Sequence, residues 1–83
     1  MDDNATGAAL PGVRAWIEER CAMSPQFRIE AMKAYDDYSL WLETCVPRRA
    51  NWGQKVFGRA IRKLGIPTMK SGRRIYLGIS LKS

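Results

Sequence analysis

Ten lysines and arginines and no carboxylate fall between residues 46 and 83. Guanidinium and ammonium groups crowded together without acids are poor bases at neutral pH; what they do is bind anions, and at this density polyanions. The rest of the chain offers little reaction chemistry. There is no histidine, so the common general base and metal ligand is missing. Cys21 and Cys45 are the only thiols and form no CxxC pair, which leaves zinc without a ligand set. Cys45 lies near Arg48 and Arg49 and could be mildly activated by them, but it ends an apolar stripe and reads, like Cys21, as a small core residue. No loop of the G-x-x-x-x-G-K-S/T type is present to cradle a nucleoside triphosphate. All eight acids lie in residues 1–45, scattered over expected helix faces. The expectation is a protein that is not an enzyme and uses no metal, cofactor or small-molecule substrate.

The cations need an element to present them, and residues 51–64, NWGQKVFGRAIRKL, supply it. At 100° per residue Val56, Phe57, Ala60, Ile61 and Leu64 share one face. Lys55, Arg59 and Arg62 fall opposite, with Asn51 and Gly58 beside them. Lys63 and Trp52 lie at one margin and Gln54 at the other. Asn51 with Gln54 three residues on reads as a capping box, and Gly65 then Pro67 as the stop. Ahead of this helix, Val46 to Ala50 is a linker in which Pro47 disfavours helix. Its Arg48 and Arg49 are open to two readings, solvated linker charge or phosphate contacts beside a helix N-terminus.

Behind the basic helix must stand a body. Residues 1–10 read as a flexible tail and 11–83 as one domain. Pro11 opens a helix over about 11–22, with Val13, Trp16, Ile17, Arg20 and Cys21 at helical spacing and Glu18 and Glu19 toward water. Ser24-Pro25 reads as cap and first-turn proline of a long helix, about 25–45. Its stripe is Ile29, Met32, Tyr35, Leu42 and Cys45, widened by Phe27, Tyr38 and Trp41, with Asp36 and Asp37 outside. These aromatics share their stripe with aliphatics, which favours a core over a stacking platform. After Gly65 the period changes to two: Ile75, Leu77, Ile79 and Leu81 alternate with Tyr76, Gly78, Ser80 and Lys82. Residues 66–70 form the partner strand, Ser71-Gly72 the turn, and Lys70, Arg73 and Arg74 the basic tip. The fold class expected is mainly α with a C-terminal β-hairpin, a winged helix-turn-helix of three helices plus a wing. The opening residues lack a signal peptide, and no stretch approaches the roughly 18 apolar residues of a membrane span. A reducing cytoplasm is therefore the expected location.

Three runs, Tyr35-x-x-Tyr38-x-x-Trp41, Phe57-Gly58-Arg59, and Lys70-x-Gly72-Arg73-Arg74-Ile75-Tyr76-x-Gly78-Ile79-x-Leu81, resemble the C-terminal domain of phage, plasmid and poxvirus helicase–primases. The resemblance covers about residues 25–82. It implies a small winged-helix domain that binds duplex or origin DNA through its third helix and wing, with Lys55, Arg59, Arg62, Arg73 and Arg74 where the family's DNA contacts lie. Such domains follow a superfamily-three helicase, and these 83 residues contain none. The chain is expected to be an excised piece of a replication protein or a domain kept alone by a phage or mobile element.

The leading functional expectation is double-stranded DNA bound in the major groove by the helix over 51–64. Asn51, Gln54, Lys55, Arg59 and Arg62 are the candidates for base edges. Arg48, Arg49, Lys63, Lys70, Arg73 and Arg74 are the candidates for phosphates or the adjoining minor groove. The alternative is a phage-type interaction module or inhibitor docking on a helicase, primase or host complex that handles nucleic acid. Single-stranded RNA is disfavoured by the few aromatics left for stacking. Trp52 and Tyr76 alone stay open to that role or to the core.

Overall fold

The chain alternates between helix and strand more than its local pattern announces. In the structure, a computed structural model, residues 2–45 and 50–82 are described, without the side chains of 2–4 and 71. Helix α1 runs Asp2–Arg20, strand β1 Cys21–Glu30, helix α2 Ala31–Thr44, helix α3 Gln54–Lys63, strand β2 Thr68–Ser71 and strand β3 Arg73–Leu81. The strands form one antiparallel sheet in the order β1-β3-β2. This mixed α/β arrangement replaces the expected mainly α winged helix-turn-helix. A strand stands between the first two helices, and the C-terminal hairpin is no separate wing but two-thirds of a three-stranded sheet.

The cause is a long-range backbone requirement. β3 has two edges of N–H and C=O groups to satisfy, and β2, four residues long, covers part of one. β1 takes the other, from Cys21 opposite Leu81 to Glu30 opposite Ile75. Lys82 N donates to Arg20 O at 2.8 Å and closes the junction with α1. The expected helix start at Ser24-Pro25 is overruled by this pairing. Between Met23 and Arg28 the register slips, so Ser24, Pro25, Gln26 and Phe27 stand opposite Gly78 alone, a bulge that tolerates a residue without a ladder donor. Gly78 has φ +81°, and Ser24 O lies 3.9 Å from where its Cβ would be. The slip also breaks the expected alternation in β3. Tyr76 and Ile79, of opposite parity, are both buried, while Ile75, Leu77 and Leu81 are half-buried.

The residues read as a tail are helical from Asp2, and Thr6, Ala9, Val13 and Trp16 put that helix into the core at helical spacing. Pro11 therefore lies inside α1 rather than in its first turn. In α2 the buried stripe is Ala31, Ala34, Tyr38, Trp41 and Leu42, whereas Met32 is exposed. The core is aromatic at its centre. The Phe57 ring lies 4.7 Å from that of Tyr38, 5.5 Å from Trp16, 5.6 Å from Tyr35 and 6.3 Å from Tyr76. Four of the six elements thus meet at one ring.

Large aromatics bring polar atoms that need partners, and the acids of the first half provide them. Trp41 Nε1 donates to Glu19 Oε2 at 3.0 Å. Asp37 receives Trp16 Nε1 at 2.9 Å and Arg20 through Nε at 3.1 Å and Nη2 at 2.7 Å. Asp37 is thus not simply a solvent-facing residue of α2; it fastens α2 to the end of α1. The Arg20 guanidinium, with help from the indole, holds the Asp37 carboxyl below its usual range, against the opposing effect of burial.

Asp37→Ala should lower stability to urea by about 1–3 kcal/mol, the usual penalty for a buried donor, here the Trp16 N–H, left without its acceptor. Because the folded-state pKa of Asp37 is depressed, the stability its charge contributes is complete above the unfolded value of about 3.9 and is lost as pH falls through the lower folded value. Asp37→Asn should therefore flatten the acid limb of a pH–stability curve. An acid limb identical to wild type would show that this carboxylate's charge does not link the helices.

Candidate nucleic-acid interface

α3 packs chiefly on α1 and is rotated so that Phe57, Ala60 and Ile61 point inward. Gln54, Lys55, Arg62 and Lys63 are exposed, and Arg59 is half-buried. Gly58, expected beside the cations, is buried. The helix opens two residues later than its capping box implied, with Gln54 rather than Trp52 as its first residue. Gly53 is the N-cap, at φ +96°, which an L side chain rarely adopts. Asn51 lies ahead of the helix: its Oδ1 accepts from Gly53 N at 3.0 Å and Tyr35 Oη at 3.2 Å, and its Nδ2 donates to Ser39 Oγ at 3.2 Å. An amide so engaged ties the start of α3 to α2. The C-terminus ends as the sequence implied, with Gly65 N bonded to Arg62 O and Ile66 N to Ile61 O. Trp52 is 47 % exposed and lines a recess with Ala8, Ala9 and Gly12 of α1 and Tyr38 of α2. Arg48 and Arg49 lie outside the described residues.

The hairpin divides its cations between two faces. Lys70 and Arg74 are direct cross-strand partners, so they project on the same side. Arg73, one residue over, projects on the other. There its Nη1 meets Glu30 Oε2 at 3.0 Å and Oε1 at 3.2 Å. This pair is an exposed one and contributes little to stability. Among the described residues, Lys55, Arg62, Lys63, Lys70 and Arg74 are exposed and in no ion pair with an acid.

Helix and hairpin meet at a seam. Gly58 of α3 lies so close to β3 that a Cβ there would stand 3.5 Å from Tyr76 Oη and 3.8 Å from Arg74 Nη1. A groove of about 510 Å³ runs alongside, lined by Gln54, Arg73, Arg74, Gly72, Glu30, Ala31 and Met32. Burial raises the Tyr76 phenol above its ordinary pKa, while the charges of Arg74 and Arg62 pull it back. Tyr76 is the site residue that period-two reading misplaced; Gly78, a glycine inside a strand, was the signal that the alternation would slip.

Among the described residues no group of three His, Cys, Asp or Glu is placed to hold a metal ion. No helix among them is long and apolar enough to cross a membrane. What fold and site define is a small α/β protein, 12.0 Å in radius of gyration, with a cationic helix–hairpin seam. The chain matches no protein family, no curated protein and no solved structure.

Burial pushes the Cys21 thiol up to about 12, so it stays protonated and unreactive at neutral pH. Iodoacetamide at pH 8 should leave Cys21 unmodified in the folded protein and alkylate it in urea, as read by peptide mass spectrometry. Rapid alkylation in the native state would show that the α1–β1 junction opens readily.

Proposed function

We propose that this chain is a non-enzymatic binder of double-stranded DNA, acting in the cytoplasm in replication of a phage or mobile element. α3 enters the major groove and the β2–β3 hairpin sits on the adjoining backbone. The observation that carries this reading is the seam. Cations from two successive elements, Lys55, Arg62 and Lys63 on α3 and Lys70 and Arg74 on the hairpin, are exposed and, among the described residues, in no ion pair with an acid, and Arg74 lies against the helix itself. Ten helical residues extend about 15 Å, and a helix with its side chains is about as wide as the roughly 12 Å major groove.

Gln54, Lys55 and Arg59 then face base edges. Arg62, Lys63, Lys70 and Arg74 meet phosphates, joined by Arg73 once it leaves Glu30. Asn51 has no part in base reading, since its amide holds the helix start in place. A duplex is favoured over single strands because Tyr35, Tyr38, Trp41 and Tyr76 belong to the core, which leaves few rings for stacked bases. A second reading, a docking module or inhibitor on a host complex, draws support from Met23, Phe27, Met32 and Leu40, large apolar residues exposed in the first half.

Titration of a labelled duplex by fluorescence anisotropy should give an affinity that falls with salt, with a log–log slope of roughly −4 to −5 if about five phosphates are neutralised. Lys55→Ala should weaken binding by about 1–3 kcal/mol and change sequence preference. A salt-independent affinity, or none, would discard the proposal. Binding to a host protein that survives nuclease and high salt would favour the docking reading.

A further inference from the structure

We infer that Tyr76, Arg74 and Arg62 form a specific seat for one phosphate oxygen at the seam between α3 and β3, with Gly58 as its floor. The inference rests on the nucleic-acid reading above and assigns to one cluster what that reading leaves to diffuse charge.

Tyr76 is 3 % exposed, with its ring against Phe57. Buried hydroxyls have partners as a rule, yet among the described residues this one has no hydrogen bond. Neither is any described side-chain nitrogen or oxygen both sealed from solvent and unpartnered. The Tyr76 hydroxyl is therefore not sealed from solvent, and it lies against α3 at Gly58. Arg74 Nη1 lies beside it over Gly58. Arg62 follows Gly58 by four residues, the spacing that puts two positions on the same helix face. The phenol O–H and the Arg74 guanidinium meet over Gly58, and Arg62 is near enough for its charge to act on that phenol; together they are a donor set suited to a phosphodiester oxygen.

Gly58 strengthens the assignment because the fold alone does not call for it. Its φ is not in the left-handed region. A Cβ at this position would make only ordinary van der Waals contacts, at 3.5 and 3.8 Å. Glycine in a helix interior is less stable than alanine. The missing methyl leaves the Arg74 guanidinium close against the helix and keeps room beside the Tyr76 hydroxyl for a ligand atom.

The test compares wild type with Tyr76→Phe, Arg74→Gln, the double variant and Gly58→Ala, using the labelled duplex at several salt concentrations, with thermal melts to confirm folding. Tyr76→Phe removes only a hydroxyl and no charge. It should weaken binding by about 3- to 10-fold, the worth of one hydrogen bond, with an unchanged salt slope. Arg74→Gln should weaken binding and reduce the slope by about 1. The double variant should lose less than the product of the two single losses, because both groups serve the same oxygen. Gly58→Ala should melt higher than wild type and bind more weakly. If wild type binds the duplex and Tyr76→Phe binds equally well, or the two losses simply multiply, the seat is refuted while the general reading stands. If wild type binds no duplex, both fall together.

Discussion

Phe57 decides which way α3 faces. A helix has one rotational freedom about its axis, and here that freedom is removed by a ring held among Trp16, Tyr35, Tyr38 and Tyr76. Each residue of the helix then has a fixed azimuth, 100° from its neighbour. With Phe57 inward, Lys55, Arg62 and Lys63 have no choice but solvent. The presentation of charge is therefore a consequence of packing, and it is as rigid as the aromatic cluster. That cluster in turn depends on Asp37, which accepts the Trp16 indole and Arg20 together and so keeps α1 against α2 at the place where Phe57 inserts.

β3 does for the hairpin what Phe57 does for the helix. As the central strand it is hydrogen-bonded on both edges, to β1 and to β2. An isolated two-stranded hairpin is marginal in water; a third strand and a packed Tyr76 make this one part of the core. Arg74, two residues before Tyr76, shares its face of the strand and is carried to α3 with it. The bulge at Ser24 to Phe27 lets β1 follow β3 past Gly78, so that Tyr76 and Ile79 both reach the interior despite their opposite parity.

Much of α3 was legible in the sequence. Its apolar face, its cations and its glycine stop are local features, and local features survive in a helix that packs by one stripe. Its start was misread because Asn51 and Gln54 have the spacing of a capping box, while Asn51 instead bridges to Tyr35 and Ser39, residues far away in sequence. β1 was not legible at all. Ser24-Pro25 is a strong helix-start signal, and only the demand of a strand some 50 residues later overrides it. Arg73 was grouped with Lys70 and Arg74 as a hairpin tip. The alternation of side chains across a strand separates it from them, and Glu30, brought near by the unforeseen β1, pairs with it. What composition did convey was the separation of charge between an acidic first half and a carboxylate-free second half.

That division has an energetic side. Lys70 and Arg74 are like charges placed directly opposite on adjacent strands, an arrangement that destabilises a sheet. Arg62 stands one helical turn from the glycine over which Arg74 lies, on the same side of the helix. Carboxylates to relieve them exist in the chain, but Asp37 and Glu19 are committed to Arg20 and to the two tryptophan indoles. A single acid in residues 46–83 could have lowered this repulsion without disturbing the core. Leaving it out keeps the Lys70–Arg74 pair uncompensated in the free protein. If the proposed duplex binds here, its row of phosphates would relieve the like-charge pairing of Lys70 and Arg74 that the free sheet must tolerate.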